Sequence, residues 1–382
     1  MTKVMTIVGT RPEIIRLSRV INRLEAEVDH CLVHTGQNWD PQLSDVFFKE
    51  LDLRQPDHWL DVPATSLGAV LGGVLAGIEP ILLQERPDAV LVLGDTNSCI
   101  AVLIAKRLGI PVFHMEAGNR CFDENVPEET NRRVIDHVAD FNLCYTEHAR
   151  HNLLAEGLPT RRVFVTGSPM AEVLAAYNDR IEQSDALVRL GLQPGQYFLV
   201  SMHREENIDD PDNLDILLRA IEDLSRRSGL RVIVTRHPRL RKQLEERGGV
   251  EDSTLVEFME PFGFLDYNKL QRGARCVLSD SGTISEESAI TGFPAVTIRN
   301  SMERPEALDT GTVVLTGIEP GNIGQSVDLV VRQWDAGERQ RIPRSYQVLD
   351  CSVRVSRLIR GLSTVHATWL GLRPKLWRTS EL

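Results

Sequence analysis

Three acids, two histidines and several arginines stand at matching points of the chain, each just past a short apolar run. Arg11 follows the run at 4–8, with Arg16 about a turn further on. Asp95 follows 89–93, Glu116 follows 111–115, and Glu128 opens the helical stretch beyond. In the second half His203 follows 197–202, His237 follows 232–235, and Ser281 and Gly282 follow 276–278. Taken singly, each has an ordinary explanation. Arg11 beside Pro12 reads as a surface charge, Asp95 as an N-cap, Glu128 as a helix-dipole partner and His203 as a hydrogen-bonded loop histidine. Taken together they describe a site that binds an anion and moves protons, with carboxylates and imidazoles for acid/base work and guanidinium groups for phosphate.

The stretch Ser279-Asp280-Ser281-Gly282-Thr283 leads from an apolar run into a helix with Glu286 and Glu287 in its first turn. A strand, a tight loop and a helix in that order aim backbone N–H groups and a positive dipole end at a phosphate or diphosphate. Carboxylates one turn on reach the vicinal hydroxyls of a ribose. The same stretch also reads as an ordinary capped turn. The charged cluster Met302-Glu303-Arg304-Pro305-Glu306-Ala307 follows the next apolar run, at 295–298, where α/β folds place their sites. Nowhere does GxGxxG follow a strand, so a dinucleotide fingerprint is missing.

Residues so placed need strands that end at them and helices that return the chain. Apolar runs of strand length alternate with helical periodicity twice over, parted by a polar helical stretch at about 170–192. The pattern predicts an α/β protein with two doubly wound parallel-sheet (Rossmann-like) domains facing each other across a cleft. The expected division is 1–167 and 168–352, with a C-terminal helix at about 353–382 that can cross back to the first domain. A long helix is expected at about 66–83, where Gly68, Gly72 and Gly73 permit close packing, and a strand at 254–257. The basic end of the chain (Arg360, Arg373, Lys375 and Arg378, with Trp369 and Trp377) reads as a solvated terminus.

Composition bounds the rest. The 382 residues are 42% hydrophobic and 25% charged, as in a soluble globular protein, and carry a net charge of −11. An acidic surface repels phosphate backbones, which argues against nucleic-acid binding, so an anionic ligand must meet a locally basic site. The six cysteines are scattered, without a CxxC pair, and read as reduced, buried thiols. The first residues already form a strand, no signal peptide is evident and no run reaches membrane-spanning length. A cytoplasmic location without an integral membrane segment is therefore expected.

Gly9-Thr-Arg-Pro-Glu, Gly94-Asp-Thr-Asn-Ser, Glu116-Ala-Gly, Pro127-Glu-Glu-Thr-Asn-Arg, Asp280-Ser-Gly with Glu286-Glu287, and Glu303-Arg-Pro-Glu-Ala resemble the non-hydrolysing UDP-N-acetylglucosamine 2-epimerase family, in the right order from about Lys3 to Gly317. The resemblance implies a GT-B architecture, a UDP-N-acetylhexosamine substrate, no NAD or other cofactor, no metal, and a homodimer. It implies Asp95, Glu116 and Glu128 as acid/base groups, with His203 beside them. Arg11, His203 and the N–H groups of Ser281 and Gly282 would meet the diphosphate, Glu287 the ribose, and Phe262 the uracil. Arg16, His237 and Arg304 complete the implied substrate-binding set. The stretches His114-Met-Glu-Ala-Gly-Asn-Arg-Cys-Phe-Asp and Ser201-Met-His-Arg-Glu-Glu-Asn resemble the branch that forms UDP-N-acetyl-L-fucosamine. Arg16 in place of a lysine and a shorter loop at 118–127 agree with that branch. The alternatives are a UDP-N-acetylglucosamine 2-epimerase forming the mannosamine sugar, a hydrolysing epimerase, a GT-B glycosyltransferase and a catalytically inactive sugar-nucleotide sensor.

Overall fold

A computed structural model describes residues 2–37, 41–63, 65–248 and 255–371. The chain divides into two compact units, one made of Met1–Arg120, Val126–Ala175 and the chain from Val348 on, the other of Cys121–Asn125 and Ala176–Gln347.

The first unit holds a seven-stranded sheet: β1 (Lys3–Val8), β2 (Asp29–His34), β3 (His58–Trp59), β4 (Ala89–Leu93), β5 (Val112–Met115), β6 (Phe141–Cys144) and β7 (Val163–Val165). Its order is β3-β2-β1-β4-β5-β6-β7, and every pairing is parallel. Parallel strands covered by helices on both faces must be apolar along their whole length. Ala89-Val-Leu-Val-Leu meets that demand, with all five residues buried. Met5, Ile7, Val90, Val92 and Val112 pack with Val74, Ile78 and Leu82 of the helix Leu67–Glu85 and with Val102 and Ala105 of the helix Val102–Arg107. The helix Cys351–Leu370 also belongs to this unit. It packs against the helix Arg11–Glu27, where Ser356 Oγ donates to Glu27, and sets His366 Nε2 3.0 Å from Asp140 Oδ1.

The second unit holds six parallel strands: β8 (Tyr197–Met202), β9 (Arg231–Arg236), β10 (Val256–Met259), β11 (Cys276–Ser279), β12 (Ala295–Thr297) and β13 (Val314–Leu315), in the order β10-β9-β8-β11-β12-β13. Phe198, Val200, Val232, Val234 and Leu278 bury one face against Leu214, Leu217, Ile221 and Leu224 of the helix Pro211–Ser228. That helix shows its logic in its ends. Asp210 caps the N-terminus through Asp212 N (2.9 Å) and Asn213 N (3.1 Å), and Gly229 closes it at φ 67°. In each sheet the strand order reverses once, between β1 and β4 and between β8 and β11. Connections leave opposite faces at such a point and open a crevice above the strand tips, where ligands of open α/β sheets bind.

Several expectations change. The stretch at 170–192 is three short helices, Met170–Ala176, Asn178–Glu182 and Ala186–Arg189, rather than one. Ser184 breaks the run by accepting from Ala186 N (3.2 Å) and donating to Asp266 (2.6 Å). The helix Leu67–Glu85 is long and apolar enough, by length and composition alone, to cross a membrane, contrary to the expectation that no run reaches that length. Its interspersed small residues hide this in the sequence, and it buries Val74, Ile78 and Leu82. The strands β3 and β13 and the helices Pro305–Asp309 and Pro320–Asp335 were not anticipated. Asn38, Trp39, Asp40, Thr254, Arg373, Lys375, Trp377 and Arg378 lie outside the described residues.

None of the six cysteines forms a disulfide, and all but Cys121 are buried. Burial pushes the thiols of Cys31, Cys276 and Cys351 up to about 12 and raises Cys99 and Cys144 as well. The reactive species is the thiolate. A thiol-specific reagent at pH 8 should therefore label about one cysteine per native chain quickly, and all six only after denaturation. Fast labelling of a second thiol in the native protein would contradict this packing.

Candidate active site

In the first unit the strands on either side of the reversal are joined through Glu13. Its Oε2 accepts from Gly9 N (2.8 Å), Thr10 N (2.7 Å) and Thr10 Oγ1 (3.0 Å), and its Oε1 from Thr96 Oγ1 (2.7 Å). Burial pushes the Glu13 carboxyl above its usual range, against the pull of these donors. One capping glutamate thus ties the turn after β1 to the turn after β4. The turns approach so closely that a Cβ at Gly9 would lie 1.8 Å from Ser98 Oγ, which only glycine avoids.

Arg16, one turn into the helix Arg11–Glu27 and 6% exposed, pairs through Nη1 with Glu116 Oε2. Glu116 directly follows β5 in the left-handed region (φ 64°), a conformation costing a non-glycine residue about 1–3 kcal/mol. Asn119 Nδ2 donates to its Oε1 at 3.4 Å. A Cβ built on Gly94 would stand 4.0 Å from Glu116 Oε2, so this carboxylate lies over the chain just ahead of Asp95. Asp95 Oδ2 in turn accepts from Arg132 Nε (2.7 Å), and the Asp95 carbonyl from Asn131 Nδ2 (2.9 Å).

Asn131 and Arg132 come from the helix Pro127–Val138, three and four positions after Glu128 and so on the same face. Arg132 Nη1 also meets the wholly buried Glu129 at 2.9 Å. Glu128 itself sits half-buried in the first turn of that helix. The first unit therefore gathers Asp95, Glu116 and Arg16 with the helix of Glu128. Asp95 and Glu116 each pair with an arginine. Arg11 begins its helix with its guanidinium 5.8 Å from the Phe47 ring centre.

In the second unit the organiser is Asp280, at the end of β11 and wholly buried. Its carboxylate accepts from His203 N (3.1 and 3.0 Å), Arg204 N (3.0 Å) and Asn207 Nδ2 (3.1 Å), and lies 2.9 Å from His203 Nδ1. Burial works to raise this carboxyl, but the charge and hydrogen bond of His203 and the two N–H donors outweigh it and hold it down at about 2. Asp280 thereby fixes the His203 ring through Nδ1 and leaves Nε2 as its outward-acting nitrogen. His237, first residue past β9, sets its ring 5.7 Å from that of His203.

The loop after β11 departs in part from expectation. The Ser281 N–H donates to Ser279 Oγ (3.1 Å), so the loop spends this donor on itself. Gly282 lies tight against Glu303, whose Oε1 would be 2.4 Å from any Cβ there. Arg304 is 1% exposed and 3.3 Å from Glu286 Oε2, which makes it a brace beneath the loop rather than an open cation. Glu287 is 7% exposed and accepts from Gln271 Nε2 at 2.6 Å. Phe262 is half-buried against the core formed by Tyr197, Leu199 and Val277.

Among the described residues one trio elsewhere, Cys31, His58 and Glu85, has donor atoms within 4.8 Å of one another, a spacing a metal ion could use. Glu85 already carries the Lys3 ammonium at 2.6 Å and His58 at 3.0 Å, and the thiol is held protonated by burial, so the trio reads as an ion-paired sheet edge.

Two open parallel sheets, one gathering acids and arginines at its reversal and the other an oriented histidine beside a strand–loop–helix turn, define an α/β enzyme of the GT-B-like type. A family model described as UDP-N-acetylglucosamine 2-epimerase matches residues 22–360. The chain is 36% identical to the UDP-N-acetylglucosamine 2-epimerase of Methanococcus maripaludis, over 88% of this chain and 94% of that one. Among solved structures it resembles a UDP-N-acetylglucosamine 2-epimerase of Rickettsia bellii, at 43% identity and TM-score 0.89 over 97% and 100% of the chains. It also resembles the Methanocaldococcus jannaschii UDP-GlcNAc 2-epimerase in complex with UDP-GlcNAc and UDP, at 32% identity and TM-score 0.88 over 94% and 99%. The chain belongs to the UDP-N-acetylglucosamine 2-epimerase family.

The depressed Asp280 carboxyl makes a pH prediction. Its folded-state value lies below its unfolded one, so the stabilisation is complete above about pH 4 and is lost as pH falls toward 2. Asp280→Asn should cost on the order of 2 kcal/mol at pH 7. The gap between variant and parent should narrow between pH 4 and 2 in urea midpoints. A gap constant with pH would mean that the charge on Asp280 is not what stabilises this turn.

Proposed function

We propose that the protein inverts C2 of a UDP-linked 2-acetamido sugar by eliminating UDP to a glycal and adding it back. The observation that carries this reading is the grouping of Asp95, Glu116 and Arg16 with the helix of Glu128 at the reversal of the first sheet. The C2 proton of such a sugar is not next to a carbonyl, so removing it alone is too costly. In the elimination a base takes that proton, its electron pair becomes the C1=C2 bond, and UDP leaves with the C1–O pair. In the return an acid delivers a proton to the other face of the now planar C2 while the diphosphate oxygen attacks C1. A base and an acid on opposite faces of the ring are needed, as is stabilisation of the departing diphosphate.

Asp95, Glu116 and Glu128 are assigned the proton transfers. Arg11, the Gly282 N–H, His203 oriented by Asp280, and His237 beside it serve the diphosphate. Glu287 holds the ribose and Phe262 flanks the uracil, while Arg304 braces the loop. No step calls for a redox cofactor or a metal. The sugar we favour is the 6-deoxy-L-talosamine isomer, giving UDP-N-acetyl-L-fucosamine for a surface polysaccharide such as capsule or O-antigen. Support for it comes from Arg16 in place of a lysine directly on Glu116, and from the sequence of the 114–123 stretch. A homodimer belongs to the same reading and rests on the family resemblance, and a cytoplasmic location rests on the scattered cysteines read as reduced thiols.

Proton NMR in D2O tests both levels. Deuterium should enter C2 of the UDP-linked 6-deoxy sugar, with UDP retained in the product. Exchange only with UDP-N-acetylglucosamine would overturn the choice of sugar, and exchange with neither would overturn the reaction. Asp95→Asn and Glu116→Gln should each lower kcat by about 100-fold or more and still bind UDP. Unimpaired turnover in both would remove them from the mechanism.

A further inference from the structure

A buried polar knot lies beneath the paired carboxylates of the first unit, and the reaction above leaves it unused. His114, third residue of β5, is 1% exposed. Its Nε2 lies 2.7 Å from the Gly94 carbonyl and its Nδ1 2.9 Å from Asp136 Oδ1. A carbonyl oxygen only accepts, so Nε2 carries a proton. Asp136 is wholly buried, and the other partners of its carboxylate are donors: Gly118 N (3.2 and 3.1 Å) and Arg120 Nη1 (2.7 Å). The ring thus bridges the Gly94 carbonyl and a carboxyl group that Gly118 and Arg120 also hold.

We infer that the His114–Asp136–Arg120 set is the positioning device for the two candidate carboxylates. The set touches no reacting atom. It acts through two backbone groups. The Gly94 carbonyl it holds is the last one before Asp95, and Gly94 N is itself tied to the Met115 carbonyl at 3.0 Å. The Gly118 N–H it holds lies two residues past Glu116 and pins the far side of the left-handed turn that Glu116 begins. Gly118 is irreplaceable there, at φ 83° with a built Cβ 2.3 Å from the Ala149 carbonyl.

The Arg120 guanidinium is shared between Asp136 and Glu156, the latter bonded to Arg120 Nε and Nη2 at 2.7 Å each. His137 lies 3.1 Å from Glu156, and the nearby Cys144 thiol is held protonated by burial and by the Asp136 charge. Removing one member leaves a buried polar group without its partner.

The effect on turnover rests on the proposed reaction, whereas the ring's grip on the Gly94 carbonyl can be read without it. Full-length protein carrying 15N-labelled histidine, with His114 assigned by sequential correlations, should show a directly bonded proton on Nε2. A ring with no proton on Nε2 overturns that grip, and this measurement needs no variant. His114→Phe keeps a ring but no donor, whereas His114→Gln keeps one donor for the Gly94 carbonyl. In the D2O assay His114→Phe should lose about 100-fold in kcat, as expected when reacting groups shift by about 1 Å, and His114→Gln clearly less. KM and UDP affinity should stay within about twofold in both. Parental kcat in His114→Phe, or equal losses in the two variants, overturns the positioning role. Absence of exchange in the parent protein would instead sink the epimerase reading and leave the ring protonation standing.

Discussion

A charge inside a protein must be paired where it stands, and that constraint runs through both sheets. Desolvating an ionised group costs several kcal/mol unless an opposite charge and enough hydrogen bonds replace water. Asp136 is at 0% exposure because His114, Arg120 and Gly118 N serve it, and Asp280 is at 0% because His203, Arg204 N and Asn207 do. Asp280 sits just past the end of a strand and Asp136 in the last turn of a helix, and each fixes backbone that a chemically active side chain depends on.

The two units solve the same problem with different means. In the first, the parallel sheet delivers turns close together and a long-range carboxylate, Glu13, ties them, so Asp95 and Glu116 stand on a floor with little freedom. In the second, the buried carboxylate orients an imidazole directly. Asp280 grips His203 by Nδ1 and by its own backbone N–H, which sets both tautomer and direction. Rigid backbone suits groups that must exchange protons with one carbon atom. An oriented ring suits the recognition of a diffuse negative charge.

How much of this was legible in the sequence depends on the range of each interaction. Strand ends could be read because an apolar run breaking into Gly, Asp or Ser is a local pattern, and Asp95, Glu116, His203 and Ser281 follow from it. The family resemblance supplied roles the pattern could not. Arg132 was quoted within a motif but not singled out, although its spacing from Glu128 was a usable signal. Its partner Asp95 lies 37 residues away. Glu13 and Thr96, 83 apart, and His203 and Asp280, 77 apart, meet only once the sheet order is known. The Ser281 N–H was read as open because nothing local reveals that Ser279 Oγ turns back to take it. The stretch at 170–192 read as one helix because its periodicity survives the breaks that Ser184 makes through a residue 82 positions on.

The first unit is not continuous along the chain. Its sheet is complete by Val165, yet the helix Cys351–Leu370 that covers the helix Arg11–Glu27 is the last described element to leave a ribosome. During synthesis the whole second sheet emerges before that covering surface exists. Domains generally fold in the order they appear, at about 5–20 residues per second, so the part translated first has to wait for its lid. For that interval of many seconds the nascent chain displays the flank of the helix Arg11–Glu27 that the helix Cys351–Leu370 later covers.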